Sequence, residues 1–271
     1  MIRFFPSPQL LLAIALASGL VSVSCKTPAT TGRGKAANAA ATGKRNEAGL
    51  AAPSWNQPGQ GGLPTSVGTR ESYSKISTNL PFIALTFDDG PHPVNTPRLL
   101  DMLRERNVKA TFYVVGTNAR AYPEILRRII TEGHEIGSHT ITHGNITKMS
   151  DNQIREEMRG GIEIITSATG VPPRTFRPPY GAITSAQKSW IRAEFGTPSI
   201  LWSVDPEDWK KPGSSVVASR LVAGAAPGGI LLVHDIHAPS IDAMPSALDQ
   251  LLAKGFQFIT VTQLIAMEGK G

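Results

Sequence analysis

The sequence predicts an α/β fold, a distorted (β/α) barrel of about seven parallel strands in a single domain. Strand-like apolar segments alternate with helix-like segments between residues 72 and 271, with no obvious internal repeat. Such alternation is typical of parallel strands that are joined by helical crossovers. Unusual polar residues follow most of the strands directly, as at the mouth of a parallel barrel. A doubly wound open sheet is the alternative, because strand order is not visible in a sequence.

The first half of the domain contains three predicted strands and two helices. An apolar run at 82–87 predicts a buried strand that ends at two adjacent aspartates. A helix over 96–107 places three leucines on one face, and the apolar, β-branched segment 110–115 predicts the second strand. Residues 123–132 predict a helix with inward isoleucines that a glycine ends, and a short strand begins at 135–137.

The second half begins with a long helix over 151–169, which Ser150 caps and a glycine followed by two prolines ends. Residues 174–177 are extended, 185–195 predict a helix and 199–204 a strand. The remaining elements are, in order, a helix, an apolar strand, a helix, the last strand and a trailing segment at 214–225, 229–233, 245–254, 256–259 and 262–267.

The positive charge is confined to the N-terminal part of the chain. The 271 residues carry a net charge of +6, with 41% hydrophobic and 18% charged residues. Residues 1–70 hold seven basic residues and one acidic residue, whereas residues 71–271 hold 20 of each. The domain therefore shows no nucleic-acid footprint, and we expect no nucleic-acid partner.

The N-terminus predicts export to the bacterial periplasm or cell envelope. Residues 1–24 read as a signal peptide, with an early arginine, an apolar stretch too short to span a bilayer and small residues before Cys25. Cys25 is the only cysteine, and its setting resembles a bacterial lipoprotein signal, which implies a membrane tether through acylated Cys25. An incidental cysteine is the alternative. Residues 25–71 predict a flexible, basic, Ala/Gly/Pro-rich linker, and 72–271 the domain.

The candidate site is formed by polar residues that follow five different strand-like segments. They are Asp88 and Asp89, His139 and His143, Arg177, Asp205 and Asp208, and His234. Because the carboxyl ends of parallel strands face one mouth of a barrel, we expect these side chains to converge there.

A metal site is the first hypothesis for this cluster. His139 and His143 are four residues apart, so one helical turn or a tight loop would aim both imidazoles the same way. One of Asp88 or Asp89 would add an oxygen, and the turn after them lets both carboxylates reach one pocket. Three protein ligands with open positions describe a catalytic metal site. The alternative is a pair of loop histidines that bond to backbone groups.

Five segments resemble, in order, the five motifs of the polysaccharide deacetylases, the NodB-homology group or carbohydrate esterase family 4. They are Thr86-Phe87-Asp88-Asp89-Gly90, Ser138-His139-Thr140-Ile141-Thr142-His143, Arg177-Pro178-Pro179-Tyr180-Gly181, Asp205-Pro206-Glu207-Asp208-Trp209 and Leu232-Val233-His234. The resemblance spans about Ile83 to the C-terminus, and it implies that 72–271 is one catalytic domain with every chemical position intact.

The resemblance implies a divalent ion at the first two motifs. Asp89, His139 and His143 would be its ligands, with Zn²⁺ the leading candidate and Co²⁺ or Ni²⁺ as alternatives. Asp88 would be the general base that removes a proton from the attacking water.

The resemblance also implies a general acid and two residues that orient the catalytic groups. His234 would protonate the leaving sugar amine, and Asp208 would hold His234 and favour its protonated form. Arg177 would orient Asp88, although a purely structural ion pair is the alternative.

The predicted substrate contacts lie in the last three motifs. The backbone N–H of Tyr180 would stabilise the oxyanion, and Pro179 beside it would also contact substrate. Trp209 would wall the sugar groove and Leu232 would contact the acetyl methyl group. For both of these, a role in the core is the alternative.

The resulting hypothesis is an exported, metal-dependent hydrolase that removes N-acetyl groups from N-acetylglucosamine units of a cell-wall polysaccharide, peptidoglycan first, and releases acetate. A chitin or chitooligosaccharide deacetylase and an acetylxylan esterase are the substrate-level alternatives. A non-haem iron oxygenase is more remote, because its ligands usually read His-x-Asp and then a distant His. A non-catalytic carbohydrate-binding module is also more remote, because both the base and the acid are retained.

Overall fold

The structure is a computed structural model that describes residues 67–270. The predicted signal peptide (1–24), Cys25 and most of the predicted linker (25–71) lie outside the described residues. Within 67–270, no helix combines the length and the apolar character that crossing a membrane requires.

The described residues alternate strands with helices. The strands are β1 (Ser72–Tyr73), β2 (Phe82–Asp88), β3 (Thr111–Val114), β4 (Glu135–Ser138), β5 (Ser199–Ile200), β6 (Ile230–His234) and β7 (Gln257–Phe258). The helices are α1 (Asn95–Glu105), α2 (Gly116–Ala121), α3 (Pro123–Thr131), α4 (Asp151–Thr169), α5 (Ser185–Phe195), α6 (Ser214–Gly224), α7 (Ala238–Asp242), α8 (Met244–Ala253) and α9 (Val261–Ile265). Short 3₁₀ turns occupy Ile146–Lys148, Pro179–Gly181 and Asp208–Lys210.

Strand β2 lies at the centre of the sheet. It pairs in parallel with β3, with β6 and, at its start, with β7. All of its residues are buried, and its nearly continuous apolar sequence is typical of a parallel strand that is covered on both faces. Asp88 at its end is level with Tyr113 of β3 and His234 of β6. The carboxyl ends of these strands therefore meet at one edge.

The strand pairing confirms the α/β class with parallel strands. The continuous ladder runs β4–β3–β2–β6, and β1 pairs with β5 in a separate short sheet. Single parallel bridges join Ser138 of β4 to Phe176, Phe176 to Ser199 of β5, and Val204 to Leu231 of β6. The continuous ladder is thus open, and the predicted distorted barrel depends on these single bridges.

The predicted strand over 199–204 is much shorter in the structure. Only β5 and the single bridge at Val204 remain of it. The buried guanidinium of Arg177 donates to the carbonyls of Ile200 at 3.1 Å and Leu201 at 3.2 Å. These carbonyls bond to a side chain, so a regular ladder does not extend past Ile200.

The two faces of β2 belong to different parts of the core. One face packs with the surrounding helices through Ile83, Leu85 and Phe87. The other face begins with Phe82 and Ala84, which pack among residues of the neighbouring strands and of α9. Because strand side chains alternate, Thr86 and Asp88 continue this second face toward the carboxyl edge. The alternation therefore delivers the Asp88 carboxylate to the mouth between the strands.

Candidate active site

The turn after β2 directs two consecutive carboxylates to the mouth between the strands. Asp88 ends the strand, and Asp89 has a φ of 73°, in the left-handed region that non-glycine residues rarely adopt. The Asn118 side chain of α2 donates to the Asp89 carbonyl at 2.8 Å and holds this conformation. The backbone reversal overrides the normal alternation, so both carboxylates line the same cavity.

Asp88 is paired with a fully buried arginine. Arg177 Nη1 donates to Asp88 Oδ1 and to Thr86 Oγ1, both at 2.7 Å, and Arg177 is 0% exposed. Its guanidinium also lies 4.2 Å from the centre of the Tyr113 ring. With its remaining donors on the carbonyls of Ile200 and Leu201, the guanidinium is well satisfied, as a buried charge requires.

Asp89, His139 and His143 form a compact group of metal-ligand type. One ligand atom from each lies within 4.8 Å of the others. Asp89 Oδ1 is 3.0 Å from His143 Nε2 and 3.4 Å from His139 Nε2. His139 Nδ1 contacts the Arg177 carbonyl at 2.7 Å, so Nδ1 carries a proton and Nε2 is the ring nitrogen that faces Asp89.

The donor set fits a divalent ion. Asp89 Oδ1 is buried, and within residues 67–270 neither imidazole beside it makes a hydrogen bond of regular geometry to it, which is the arrangement expected of ligand atoms that share a cation. Burial opposes ionisation of Asp89, but the imidazoles of His139 and His143 outweigh it and hold the pKa of Asp89 well below its usual range. Two imidazole nitrogens and one carboxylate oxygen leave coordination positions open for water or substrate.

His234 is held by Asp208 beside the carboxylates. Its Nδ1 is 2.8 Å from Asp208 Oδ1, and its backbone N–H donates to Asp208 Oδ2 at 2.8 Å. The Ser240 hydroxyl donates to the same Oδ2 at 2.6 Å. Burial alone would lower the pKa of His234, but the Asp208 carboxylate outweighs it and raises the pKa of His234 to about 9. The same pairing outweighs burial at Asp208 and lowers the pKa of Asp208.

These groups line one cavity of about 440 Å³. Its walls combine acids, histidines and apolar or aromatic side chains: Asp88, Asp89, His139, His143, Tyr180, Trp202, Asp205, Trp209, Leu232, His234 and His237. Such a mixture of an apolar wall and convergent polar groups is typical of a small-molecule or sugar site. Arg177 and Asp208 are absent from the lining because they lie behind Asp88 and His234.

The four residues predicted to contact substrate differ in how deeply they are buried. Tyr180 is 68% exposed and packs edge-on against His143, with ring centres 4.8 Å apart. Trp209 is 51% exposed, which places it on the rim, with Lys210 Nζ 4.9 Å from its ring centre. Leu232 is 2% exposed and still lines the cavity. Pro179 is buried and is not among the lining residues.

Three lining residues received no role from the sequence, namely Trp202, Asp205 and His237. Asp205 follows a predicted strand, and its Oδ1 accepts the N–H of Glu207 at 2.7 Å. Trp202 packs over Gly181 and lies 5.7 Å from the Arg177 guanidinium. The available signals were the position of Trp202 within a predicted strand and the nearness of His237 to His234.

Comparisons with known proteins identify the family. The sequence model of the family described as "Polysaccharide deacetylase" matches residues 75–196. A chitooligosaccharide deacetylase of Bradyrhizobium is 34% identical over 210 residues, which are 72% of this chain and 95% of that protein. The chain belongs to the polysaccharide deacetylase family. A relative in Listeria monocytogenes, the peptidoglycan-N-acetylglucosamine deacetylase PgdA, is 40% identical over 202 residues, 74% of this chain and 42% of PgdA.

A solved polysaccharide deacetylase has the same fold. The Bc1960 peptidoglycan N-acetylglucosamine deacetylase, solved in complex with 4-naphthalen-1-yl-N-oxidanyl-benzamide, superposes with a TM-score of 0.69 at 35% identity. The match covers 72% of this chain and 92% of that one. The chain spans about two fifths of the length of PgdA, since the match covers 42% of it. Polysaccharide deacetylases of this family are metal-dependent, and the Asp89–His139–His143 group offers this chain a place for one ion.

Proposed function

We propose that the chain is a metal-dependent hydrolase that removes N-acetyl groups from N-acetylglucosamine units of a cell-wall polysaccharide and releases acetate. The observation that carries the proposal is the cavity itself. It has a carboxylate on a buried arginine, a group of three metal-ligand type side chains and a histidine on a buried aspartate. This arrangement supplies a base, a Lewis-acid site and an acid around one cavity of about 440 Å³.

Asp89, His139 and His143 are the proposed ligands of a divalent ion, with Zn²⁺ as the first candidate and Co²⁺ or Ni²⁺ as alternatives. Two imidazoles and one carboxylate are a common donor set for catalytic zinc. When bound, such an ion polarises an amide carbonyl and acidifies a water molecule.

Asp88 is the proposed general base. Its Oδ1 is occupied by Arg177, so Oδ2 is the oxygen that can take a proton from the attacking water. Arg177 cannot rotate away, because its other donors are fixed on Thr86 and two carbonyls. The Arg177 pairing therefore keeps the base in one orientation throughout the reaction.

His234 is the proposed general acid. An amine leaves poorly as an anion, so the sugar nitrogen must receive a proton before the C–N bond breaks. With a pKa of about 9, His234 is protonated at neutral pH and can donate from Nε2, while Asp208 holds Nδ1. We infer that Tyr180, Trp209 and Leu232 contact the acetamide and the sugar, and that Pro179 supports Tyr180.

Peptidoglycan is the first candidate polymer, because PgdA and Bc1960 are both described as peptidoglycan deacetylases that act on N-acetylglucosamine. Chitooligosaccharides are the second candidate, since the Bradyrhizobium relative matches over nearly its whole length. We propose that residues 1–24 are an export signal, that 25–71 are a linker and that 72–271 act in the cell envelope. A lipid anchor on Cys25 is part of the same proposal.

The test is acetate release from peptidoglycan fragments and from N-acetylglucosamine oligomers, with and without a chelator. We expect turnover that stops on chelation and returns with Zn²⁺, and the ratio of the two rates identifies the polymer. Asp88→Asn keeps an oxygen for Arg177 but cannot act as a base, so turnover should fall by at least about 100-fold. Asp249→Asn, at an exposed ion pair with Arg106, is the matched control.

Acetate release should therefore be the same in Asp249→Asn as in the wild-type protein. Wild-type rates in Asp88→Asn, or turnover that survives complete chelation, would reject the deacetylase assignment.

A further inference from the structure

Asp235 is a fully buried acidic residue directly behind the turn formed by Asp88, Asp89 and Gly90, and no step of the proposed reaction uses it. It follows the last residue of β6 and is 0% exposed. Its N–H donates to the Asp88 carbonyl at 3.3 Å. A Cβ built on Gly90 would overlap both Asp235 carboxyl oxygens, so this carboxyl group lies against the Gly90 backbone.

Thr96, in the first turn of α1, connects Asp235 to the far side of the same loop. Its hydroxyl donates to Asp235 Oδ2 and accepts the N–H of His92 at 2.8 Å. Thr96 is also 0% exposed, and Asp235 Oδ1 has no partner within residues 67–270. A buried carboxyl group with so few donors costs stability, which indicates a role beyond holding the core together.

Two further hydrogen bonds fix the turn on the side away from Asp235. The N–H of Val115 donates to the Gly90 carbonyl at 2.9 Å, and Asn118 Nδ2 donates to the Asp89 carbonyl at 2.8 Å. A left-handed residue such as Asp89 persists only where its surroundings fix it from several directions. Asp235 and Thr96 supply the contacts from β6 and α1 that complete this set.

We propose that Asp235, held by Thr96, is a positioning residue that fixes the turn and thereby aims the Asp89 carboxylate at His139 and His143. The pair acts through the backbone of Gly90 and touches neither substrate nor the ion. Loss of the pair would let the turn relax, so the three donors would no longer converge. This role rests on Asp89, His139 and His143 being the ligands of the ion, as proposed above, and on the proposed deacetylation only for the turnover readout.

The test compares Thr96→Val with Thr96→Ser, because valine keeps the shape and serine keeps the hydroxyl. Zn²⁺ affinity is measured by competition with a coloured chelator, and kcat and KM are measured for acetate release. Thr96→Val should lose roughly 10- to 100-fold in Zn²⁺ affinity, the loss typical of residues that orient metal ligands. At saturating Zn²⁺ its kcat should fall while KM stays close to wild type. Thr96→Ser should keep the wild-type affinity.

Asp235→Ala removes the same contact from the other partner and should weaken Zn²⁺ affinity in the same direction. The double variant with Thr96→Val should lose no more affinity than Asp235→Ala alone, since both act through one contact. Additive losses would overturn the proposal. The proposal would also be overturned if Thr96→Val lowered the Tm of the metal-free protein but left Zn²⁺ affinity and kcat at their wild-type values. If the wild-type protein binds Zn²⁺ without releasing acetate, the deacetylase assignment fails and Zn²⁺ affinity still decides this inference.

Discussion

At the scale of single residues, the partner of each histidine determines what its ring can do. His139 Nδ1 contacts a backbone carbonyl, so Nδ1 carries a proton and Nε2 is the nitrogen left to serve as a ligand. His234 Nδ1 contacts the Asp208 carboxylate, which favours the charged ring. The same side chain therefore serves as a candidate ligand at one position and as a candidate acid at the other.

The pH dependence of turnover should report the His234–Asp208 pair. The acid works only while protonated, so kcat/KM should fall as the pH rises through the pKa of His234, which is about 9. Asp208→Asn removes the negative partner, and the alkaline limb of the profile should move to lower pH by at least about one unit. The measurement is kcat/KM for acetate release over the alkaline range.

Asp205→Asn is the control for this shift, because Asp205 lies in the same segment and lines the same cavity without bonding to His234. Its alkaline limb should stay where the wild-type limb lies. If the alkaline limb of Asp208→Asn lies at the wild-type pH, a group other than His234 causes the fall of kcat/KM at high pH.

At the scale of elements, helix ends could be predicted to the residue where local capping residues mark them. Helices α4 and α5 begin and end where the sequence indicates. Each starts with a capping box, at Ser150 with Gln153 and at Thr184 with Gln187, and each ends at a glycine with positive φ. These signals act between near neighbours and require no tertiary contact.

Elements that depend on distant partners could not be predicted in the same way. Strand β5 is short because Arg177, more than twenty residues earlier, bonds to its carbonyl groups. Strand β1 has only two residues, and α2 has a polar sequence without apolar periodicity, so neither was expected. Within the site, the motif residues were found by resemblance. Trp202 lies within a predicted strand and Asp235 just after one, but neither position shows which way the side chain points.

The capping box of α4 yields a stability prediction. Ser150 Oγ accepts the N–H of Gln153, and the Gln153 side chain accepts the N–H of Ser150. Ser150→Ala should lower the free energy of unfolding by about 1 kcal/mol, with a lower Tm. Ser219→Ala, at an exposed position in the middle of α6, should change stability by much less. Equal stability losses in both variants would show that the cap contributes nothing specific.

At the scale of the whole molecule, the end of the sheet opposite the site contains a buried neutral histidine. His134 precedes β4, is 6% exposed and accepts the N–H of Ala110 at Nδ1. Its Nε2 has no partner within residues 67–270. Burial, with help from the positive charges of Lys109 and Arg128, lowers the pKa of His134 to about 3.

This histidine should make the fold sensitive to acid. Above about pH 6.5 His134 is neutral in both states, whereas between pH 6.5 and 3 mainly the unfolded chain binds the proton, so stability falls as the pH falls. The His134 contribution to that loss should be roughly 3 kcal/mol at pH 4. His134→Asn keeps an acceptor for Ala110 without the titration and should be less sensitive to acid.

The measurement is the free energy of unfolding by denaturant at pH 7 and pH 4 for both proteins. Excess chelator in every sample removes the contribution of metal binding, which also depends on pH. If the wild-type protein and His134→Asn lose the same amount between the two pH values, His134 is not a source of the acid sensitivity.

Arg177 links these scales, because the side chain that orients Asp88 also bonds to the carbonyls at the point where the ladder past β5 stops. Its removal would strip several buried groups of their donor in one step, whereas replacing His143 or Asp89 at the cavity surface leaves those contacts intact. Substitutions at these metal-ligand type side chains should therefore remove metal binding and leave the fold intact. Evolutionary loss of Arg177, in contrast, would cost the protein its fold as well as the orientation of Asp88.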